Sequence, residues 1–206
     1  MIDTFVINLD KRPDRWELVK KRFAGSDFKL ERVSAVVKPV GAYGNFLSVI
    51  KAVKLAKKRR LEEILIVEDD CLPKRGFEKR WASIKMWLDI NPDKWDIFSG
   101  GSHSVILPDL IGEIDGIKIY NPLWAVASHW IFIPQRSYEK VLTYYQKFSI
   151  VANYCPLLGV DVHNNFLKTV ISVPFLAYQD DGYSDISKNK RQTRKKLFRN
   201  CEKGIR

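Results

Sequence analysis

The most informative part of this chain is Ile64–Asp70, which reads Ile-Leu-Ile-Val-Glu-Asp-Asp. Its first four residues form a short apolar run rich in β-branched side chains, which predicts a buried strand over residues 63–68. Its last three residues are acids, and carboxylates are seldom buried unless they are paired or bind a metal. Acids at the end of a buried strand therefore point to a bound cation, often one shared with a phosphate-bearing ligand.

The composition is typical of a folded globular protein, because 46% of the 206 residues are hydrophobic and 12% are aromatic. No apolar stretch reaches the ~20 residues that a membrane-spanning helix needs. The segment Met1–Asn8 lacks the basic start and the small-residue cleavage site of a signal peptide. Cys71, Cys155 and Cys201 are an odd number without a CxxC pair, so neither a disulfide framework nor a zinc site is expected. We therefore expect a reducing compartment and a cytoplasmic location.

The formal net charge of +11 is concentrated near the C-terminal end. Residues 188–206 contain nine Lys or Arg and one acid, Glu202, which gives +8 and leaves +3 for the other 187 residues. We predict a single domain over 1–187 and a basic tail over 188–206. The tail is interpreted as a solvated helix or a frayed end, and the alternatives are a weak contact with an anionic membrane, a contact with nucleic acid or phosphate capture. A specific nucleic-acid partner is not predicted, and the domain is compatible with a place in a longer chain.

Strands and helices alternate over the first hundred residues, which predicts an α/β fold with a parallel sheet and helices on both faces. The predicted strands cover 2–8, 28–36, 63–68, 96–99, 117–120, 125–134 and 170–175, and residues 102–123 are expected to be irregular apart from the strand at 117–120. The predicted helices follow Asp10, Gly41 and Gly76 and cover 137–147 and 161–168. Asp10 is expected to cap the first helix, with Pro13 in its first turn.

Polar or small residues follow several of the predicted strands. Open α/β sheets bind ligands beyond the carboxyl ends of their strands, and the residues at such ends are Asn8–Arg15, Ala35, Glu68–Asp70 and Gly100–Gly101. Alternate residues of an extended segment point the same way, so Glu68 and Asp70 are expected to face one side and Asp69 the other. Asp70 is the preferred direct ligand of Mn²⁺ or Mg²⁺, and the alternative is a set of surface acids without a ligand.

Three further features allow more than one interpretation. Arg12 and Arg15, in the first turn of a helix, either bind phosphate or pair with nearby acids. Gly100–Gly101 either lets a ligand approach the backbone closely or forms a plain turn. Asp161 either caps a helix or acts as a general base toward an acceptor hydroxyl. The histidines lack the spacing of metal ligands.

The segment Val6–Arg15, which reads Val-Ile-Asn-Leu-Asp-Lys-Arg-Pro-Asp-Arg, resembles the opening of glycosyltransferase family 25. That family includes bacterial lipooligosaccharide galactosyltransferases, collagen galactosyltransferases and viral relatives. The spacing to Gly41, the Ile64–Asp70 stretch, and Pro174–Gln179 followed by Ser184-Asp185-Ile186 also match the family in order. The resemblance spans about residues 2–186. This chain has Asn45–Phe46 where the family usually has Ser-His.

The resemblance implies a GT-A fold, which is a Rossmann-like mixed, mostly parallel sheet flanked by helices. It implies a metal-dependent hexosyltransferase with a UDP-sugar donor and a glycan or glycoprotein acceptor. It places Mn²⁺ or Mg²⁺ at Asp70 together with Glu68 or Asp69, and Asp161 as the acid on the acceptor side.

The donor site that follows from the resemblance and from the strand ends comprises Asn8, Leu9, Arg12, Arg15, Ala35, Asp69, Gly100 and Gly101. Attack by an acceptor hydroxyl that Asp161 deprotonates would invert the anomeric carbon. The alternatives are a basic nucleic-acid-binding module, motivated by the tail and the six tryptophans, and a metal-dependent phosphodiesterase.

Overall fold

The computed structural model describes residues 1–126, 129–154, 162–164, 167–184, 189–191 and 193–205. The strands are β1 (Ile2–Asn8), β2 (Phe28–Ser34), β3 (Glu63–Glu68), β4 (Cys71–Pro73), β5 (Ile97–Ser99), β6 (Ser104–Ile114), β7 (Ile117–Val126), β8 (Trp130–Pro134), β9 (Val162–Asn164), β10 (Thr169–Val173), β11 (Ala177–Gln179), β12 (Gly182–Ser184) and β13 (Asn189–Arg191). The helices are α1 (Pro13–Arg22), α2 (Gly41–Arg59), α3 (Phe77–Ile90), α4 (Tyr138–Tyr154) and α5 (Arg194–Gly204). In this part of the chain, no helix is long and apolar enough to cross a membrane.

One nine-stranded sheet organises the fold, in the order β2-β1-β3-β8-β5-β10-β7-β6, with β9 paired to β7. The strand β1 is parallel to β2 and β3, and β10 is parallel to β5. The strands β7 and β8 run antiparallel to each of their neighbours, so they point opposite to the rest of the sheet. Two smaller sheets pair β11 with β4 and β12 with β13. The prediction of a mixed, mostly parallel α/β sheet flanked by helices is confirmed.

The central strand β3 is buried on both faces, which explains its uninterrupted apolar sequence. Ile64 and Ile66 belong to the core formed with α2 and α4, whereas Leu65 and Val67 belong to the core formed with α1 and α3. All four of these side chains have no exposed area. Each face of the sheet is thus covered by a pair of helices, and the acids that follow β3 emerge at the carboxyl edge between the two layers.

The first helix begins later than the sequence indicated. Pro13 is its first residue and Arg12 is the N-cap position, so Asp10 does not cap it. The main-chain N–H of Arg12 donates to the Leu9 carbonyl at 2.8 Å, which makes residues 9–12 a turn. A proline at the first helical position costs no hydrogen bond, because that N–H has no partner within the helix.

Two segments differ from the sequence-based expectation. Residues 104–126, expected to be mostly irregular, form the long hairpin of β6 and β7. Residues 162–164 of the predicted helix 161–168 form the strand β9. The edge strand β6 lacks a regular alternation of apolar and polar side chains. Pro108, a positive φ at Leu107 and a bulge between Leu110 and Gly112 interrupt the strand. Such irregularities are typical of edge strands, where they discourage pairing with another chain.

Part of the basic segment 188–206 packs onto the domain. In α5, Phe198 is fully buried, and its ring centroid lies 4.9 Å from that of His129 and 5.7 Å from that of Tyr178. Glu202 accepts hydrogen bonds from the main-chain N–H of Phe175 at 2.6 Å and from the hydroxyl of Tyr178, and it pairs with Lys74 at 2.7 Å. The only acid of the segment therefore anchors α5 to β11 and β4.

A second anchor of α5 is expected to weaken in acid. Asp180 pairs with Arg22 of α1 and, at 2.7 Å, with Lys195 of α5. Burial alone would raise the pKa of Asp180, but the hydrogen bond from Lys195 and the charge of Arg22 outweigh it and lower the pKa. A carboxyl whose folded pKa is lowered contributes stability that is complete above its unfolded pKa of about 4 and is lost as the pH falls through the folded value.

We therefore expect Asp180→Asn to reduce the free energy of unfolding at pH 7 and to have less effect at pH 3. Urea unfolding at both pH values measures this difference. Asp10→Asn, which changes an exposed acid, serves as the control and should have little effect at either pH. An Asp180→Asn effect of equal size at both pH values would contradict the assigned role of this ion pair.

Candidate functional site

The carboxyl ends of β1, β2 and β3 meet at one edge of the sheet and bring distant polar residues together. In the strand register Asn8 lies opposite Ser34, and Ile7 lies opposite Glu68. Asp69 consequently follows β3 at the level of Asn8. The sequence-based prediction that Asn8 and the three acids lie at the same edge agrees with this register.

Asp69 is held inside the protein by two donors from the first part of the chain. Its Oδ2 accepts a hydrogen bond of 2.7 Å from Asn8 Nδ2, and its Oδ1 forms a 2.7 Å ion pair with Arg15 Nη1. The residue is only 8% exposed, and the side chain of Arg15 is 17% exposed. A buried carboxylate satisfied in this way supports the structure, so neither Asp69 nor Arg15 is readily available to a ligand.

Arg32 of β2 orients Asn8, and sequence reasoning missed it. Its Nε donates to Asn8 Oδ1 at 2.7 Å, and its Nη2 donates to the carbonyls of Leu9 and Asp10 at 3.1 and 3.3 Å. The Asn8 amide therefore has its oxygen on Arg32 and its nitrogen on Asp69, which determines the orientation of the amide. The signal for Arg32 was weak, because an arginine in a strand usually indicates a solvent-facing position.

Glu68 accepts hydrogen bonds on both carboxylate oxygens from neutral amides. Asn45 Nδ2 of α2 donates to Oε1 at 2.8 Å, and Gln179 Nε2 of β11 donates to Oε2 at 3.3 Å. Gln179 is 4% exposed. A carboxylate oxygen has more than one lone pair, so Glu68 can coordinate a cation while its two amide partners orient it. Asn45 thus contacts the acidic motif directly.

Asp70 has a different environment from Asp69. The residue is half-buried, its Oδ1 atom is buried, and its main-chain carbonyl accepts a 2.8 Å hydrogen bond from the N–H of Asp180. The next residue, Cys71, is fully buried. Burial is the main cause that raises the pKa of Cys71, and the Asp70 and Glu68 charges add to it while Arg22 opposes it. The thiol is neutral, so Cys71 is neither a nucleophile nor a thiolate ligand.

The remaining predicted donor contacts lie around the β1–α1 turn. Arg12 makes a bidentate contact with Asp14, at 2.8 and 3.0 Å, and this hydrogen bond is the main cause that lowers the pKa of Asp14 to about 2. The Leu9 carbonyl binds Arg32, and the main-chain N–H of Ala35 donates to the Asn8 carbonyl at 3.0 Å. All these residues lie at the sheet edge where the sequence placed them.

Gly100 and Gly101 are glycines for reasons internal to the fold. A Cβ on Gly100 would lie 2.5 Å from the ring of Trp130, and a Cβ on Gly101 would overlap the Ala177 carbonyl oxygen. Both residues are buried, and the Gly100 carbonyl accepts hydrogen bonds from Leu176 and Ala177, the residues that lead into β11. The packing of Trp130 and Ala177 accounts for both glycines without a ligand.

Gly101→Ala should lower the free energy of unfolding by about 1–3 kcal/mol, because the new methyl group would press against main-chain atoms of the segment that leads to Gln179. Urea unfolding measures the loss. Gly204→Ala is the matched control, since a Cβ there meets no atom within 4 Å. A loss for Gly204→Ala as large as that for Gly101→Ala would contradict the packing argument.

The described residues provide little that bears on the predicted general base and the predicted metal ligands. Asp161, the predicted general base, lies outside the described residues. Within the ranges that the structure describes, no three His, Cys, Asp or Glu side chains are grouped so that they could hold a metal. A divalent cation held by Glu68 and Asp70 would therefore need further oxygen ligands beyond the described side chains.

Four of the six tryptophans are core residues and not parts of a stacking surface. Trp81, Trp87, Trp95 and Trp130 are at most 6% exposed and belong to the core beneath α1 and α3. The nucleic-acid alternative relied on the tryptophans as well as on the tail, and base stacking requires exposed rings. The burial of these four side chains weakens one of its two supporting observations.

Comparisons with known proteins give similarity in structure only: no protein-family model matches the chain, and no curated protein does. Among solved structures, A197 from STIV has a TM-score of 0.47 and 15% identity, over 87% of this chain and 86% of that chain. A glycosyltransferase involved in the glycosylation of the major capsid of PBCV-1 has a TM-score of 0.43 and 15% identity, over 75% and 68%. A structure named mannose-1-phosphate geranyltransferase, from Thermus thermophilus, has a TM-score of 0.46 and 8% identity, over 82% and 72%. At these values no residue role is transferred.

Proposed function

We propose that this protein is a metal-dependent glycosyltransferase that moves a hexose from a UDP-sugar to an acceptor hydroxyl. The observation that carries the proposal is that Glu68, the last residue of β3, and the two acids that follow it differ in their contacts. Asp69 is paired with Arg15, whereas each carboxylate oxygen of Glu68 accepts a hydrogen bond from a side-chain amide that orients it. Asp70 follows at the carboxyl edge, where α/β sheets bind ligands.

The residues present fit a hard divalent cation, Mn²⁺ or Mg²⁺. Such ions take oxygen ligands and commonly use one or two protein carboxylates together with substrate phosphates. Asp70, with its buried Oδ1, and Glu68 would hold the ion, and the UDP diphosphate would complete its coordination. When bound, the ion offsets the negative charge that develops on the departing UDP.

The neighbouring residues hold the backbone at this edge, where the nucleotide would bind, in a fixed position. Arg32 and Asn8 hold the β1–α1 turn, and the Arg15–Asp69 pair ties α1 to the end of β3. The nucleotide would lie against the turn formed by residues 8–12 and against Ala35. Arg12, whose side chain is 23% exposed, is the cation of this group that can turn from Asp14 toward a phosphate.

In the proposed reaction Asp161 accepts the proton of the acceptor hydroxyl. The acceptor oxygen forms a bond to the anomeric carbon as the bond from that carbon to the phosphate oxygen breaks, and UDP leaves with the electron pair. Attack from the face opposite the leaving group inverts the anomeric carbon.

Calorimetric titration of UDP with and without Mn²⁺ tests the donor site. We expect binding to weaken by more than roughly tenfold when the metal is removed by a chelator. Metal-independent binding of equal strength, or no binding at all, would contradict the proposal. Analysis of the product anomer tests the role of Asp161, and retention of configuration would overturn it.

A further inference from the structure

A positively charged groove lies between α2 and α4, on the face of the sheet opposite α1 and α3. Its volume is about 480 Å³, and its lining includes Lys54, Lys57 and Lys58 of α2 and Glu139, Thr143 and Gln146 of α4. Residues 51–60 of the chain contain six Lys or Arg and no acid. A solvated helix face ordinarily mixes charges of both signs, so this run requires an explanation.

The fold itself accounts for only part of this charge. Lys57 pairs with Glu139 and Arg59 pairs with Glu31. Cations in the last turn also interact favourably with the helix dipole, but Lys54 lies a turn earlier. Within the part of the chain that the structure describes, Lys54 and Lys58 have no acidic partner, and both are exposed.

The row of lysines begins at the candidate donor site. Asn45, in the first turns of α2, contacts Glu68, and Lys51 Nζ donates to the Ser34 carbonyl at 2.9 Å, next to Asn8 in the sheet. Lys51, Lys54 and Lys58 lie on the same face of the helix because they are three and four residues apart. At 1.5 Å per residue, the groove extends from roughly 14 to roughly 20 Å from Asn45.

We propose that this groove binds an acidic glycan chain, the acceptor whose end reaches the donor site. The inference rests on the proposed function and adds the substrate class. The ammonium groups of Lys54 and Lys58 would pair with carboxylate or sulfate groups of the chain, and the exposed Thr143 and Gln146 would hydrogen-bond its hydroxyls.

Two other polyanions fit the groove less well. A helix that binds a membrane surface presents large apolar side chains beside its cations, and the exposed large hydrophobic residues of the described chain all lie away from the α2–α4 groove. Single-stranded nucleic acid requires exposed aromatic rings for stacking, and none of the described residues that line this groove is aromatic.

Fluorescence anisotropy with labelled polygalacturonate oligomers tests the inference in the double variant Lys54→Gln/Lys58→Gln. The control is Lys196→Gln/Lys203→Gln, which removes two exposed cations from α5 and changes the net charge equally. We expect the groove variant to bind roughly tenfold more weakly and the control less than about twofold more weakly, with both effects reduced by salt. Unlabelled neutral dextran should not compete.

Equal losses in both variants would overturn the inference, and so would stronger groove-dependent binding of an oligonucleotide or of phosphatidylserine vesicles. UDP titration with Mn²⁺ on the same variants separates this question from the proposed function. Loss of polygalacturonate binding with intact UDP binding supports the groove assignment. If the parent protein binds polygalacturonate through the groove but never binds UDP, the proposed function fails and the groove assignment as an acceptor site fails with it.

Discussion

Asp70→Asn should abolish the metal dependence of UDP binding and reduce transferase activity by roughly a thousandfold. The substitution keeps the size of the side chain and one of its acceptor oxygens, but it removes the negative charge that a hard cation requires. Glu68→Gln should have a smaller effect, because Asn45 and Gln179 already occupy one lone pair on each of its oxygens. The measurements are calorimetry with UDP and Mn²⁺ and the initial rate of UDP release.

The control for this prediction is Asp109→Asn, which removes one exposed acid from the edge strand β6 and leaves the sheet edge at β3 unchanged. Thermal unfolding of each variant separates a lost ligand from a lost fold. If Asp70→Asn binds UDP with the affinity and metal dependence of the parent protein, Asp70 is not a metal ligand and the proposed chemistry is wrong.

Arg15→Ala should reduce the free energy of unfolding by about 3–5 kcal/mol, since it removes the cation that compensates the buried Asp69 carboxylate. The double variant Arg15→Ala/Asp69→Asn should recover much of this loss, because the uncompensated charge is gone. Urea unfolding of the parent protein, the two single variants and the double variant forms a complete cycle that yields the coupling between the residues.

Lys20→Ala is the control on the same helix. Lys20 pairs with Glu17 on the surface, where both side chains are about half exposed, and exposed pairs contribute at most about 1 kcal/mol. A loss below about 1 kcal/mol for Arg15→Ala would mean that Asp69 does not depend on this ion pair, and Asp69 would again be a candidate ligand.

The sequence predicted the elements whose signal is local. The strands β1 (Ile2–Asn8) and β3 (Glu63–Glu68) have the bounds that the sequence predicted, and α1, α2 and α3 follow from their helical spacing. The edge strand β6 was missed because its Pro108 and its bulge break the alternation that identifies a strand. The strand β9 was predicted as a helix because its pairing with β7 is a long-range contact that local spacing does not report.

The candidate site shows the same limit at the level of single residues. The position of the acids at the end of β3 could be predicted from the strand alone. The roles of the individual acids could not be predicted, because Asp69 contacts Arg15 and Asn8, which lie 54 and 61 residues away in the sequence. Gln179, which lies 111 residues from Glu68, was likewise invisible as a partner. The sequence shows which residues lie at the edge of the sheet. The role of each residue depends on which other side chains the strand order places next to it.

Because Glu202 anchors α5, the contacts of the acidic motif form in a defined order as the chain is synthesised. Glu202 holds β11 through Phe175 and Tyr178, and β11 carries the Gln179 that contacts Glu68. A ribosome delivers Glu68–Asp70 early and the anchoring helix more than a hundred residues later. The acidic motif would thus gain its Gln179 contact only after residues 175–202 have been synthesised, and a chain that ends at residue 187 would lack the Glu202 anchor of this segment.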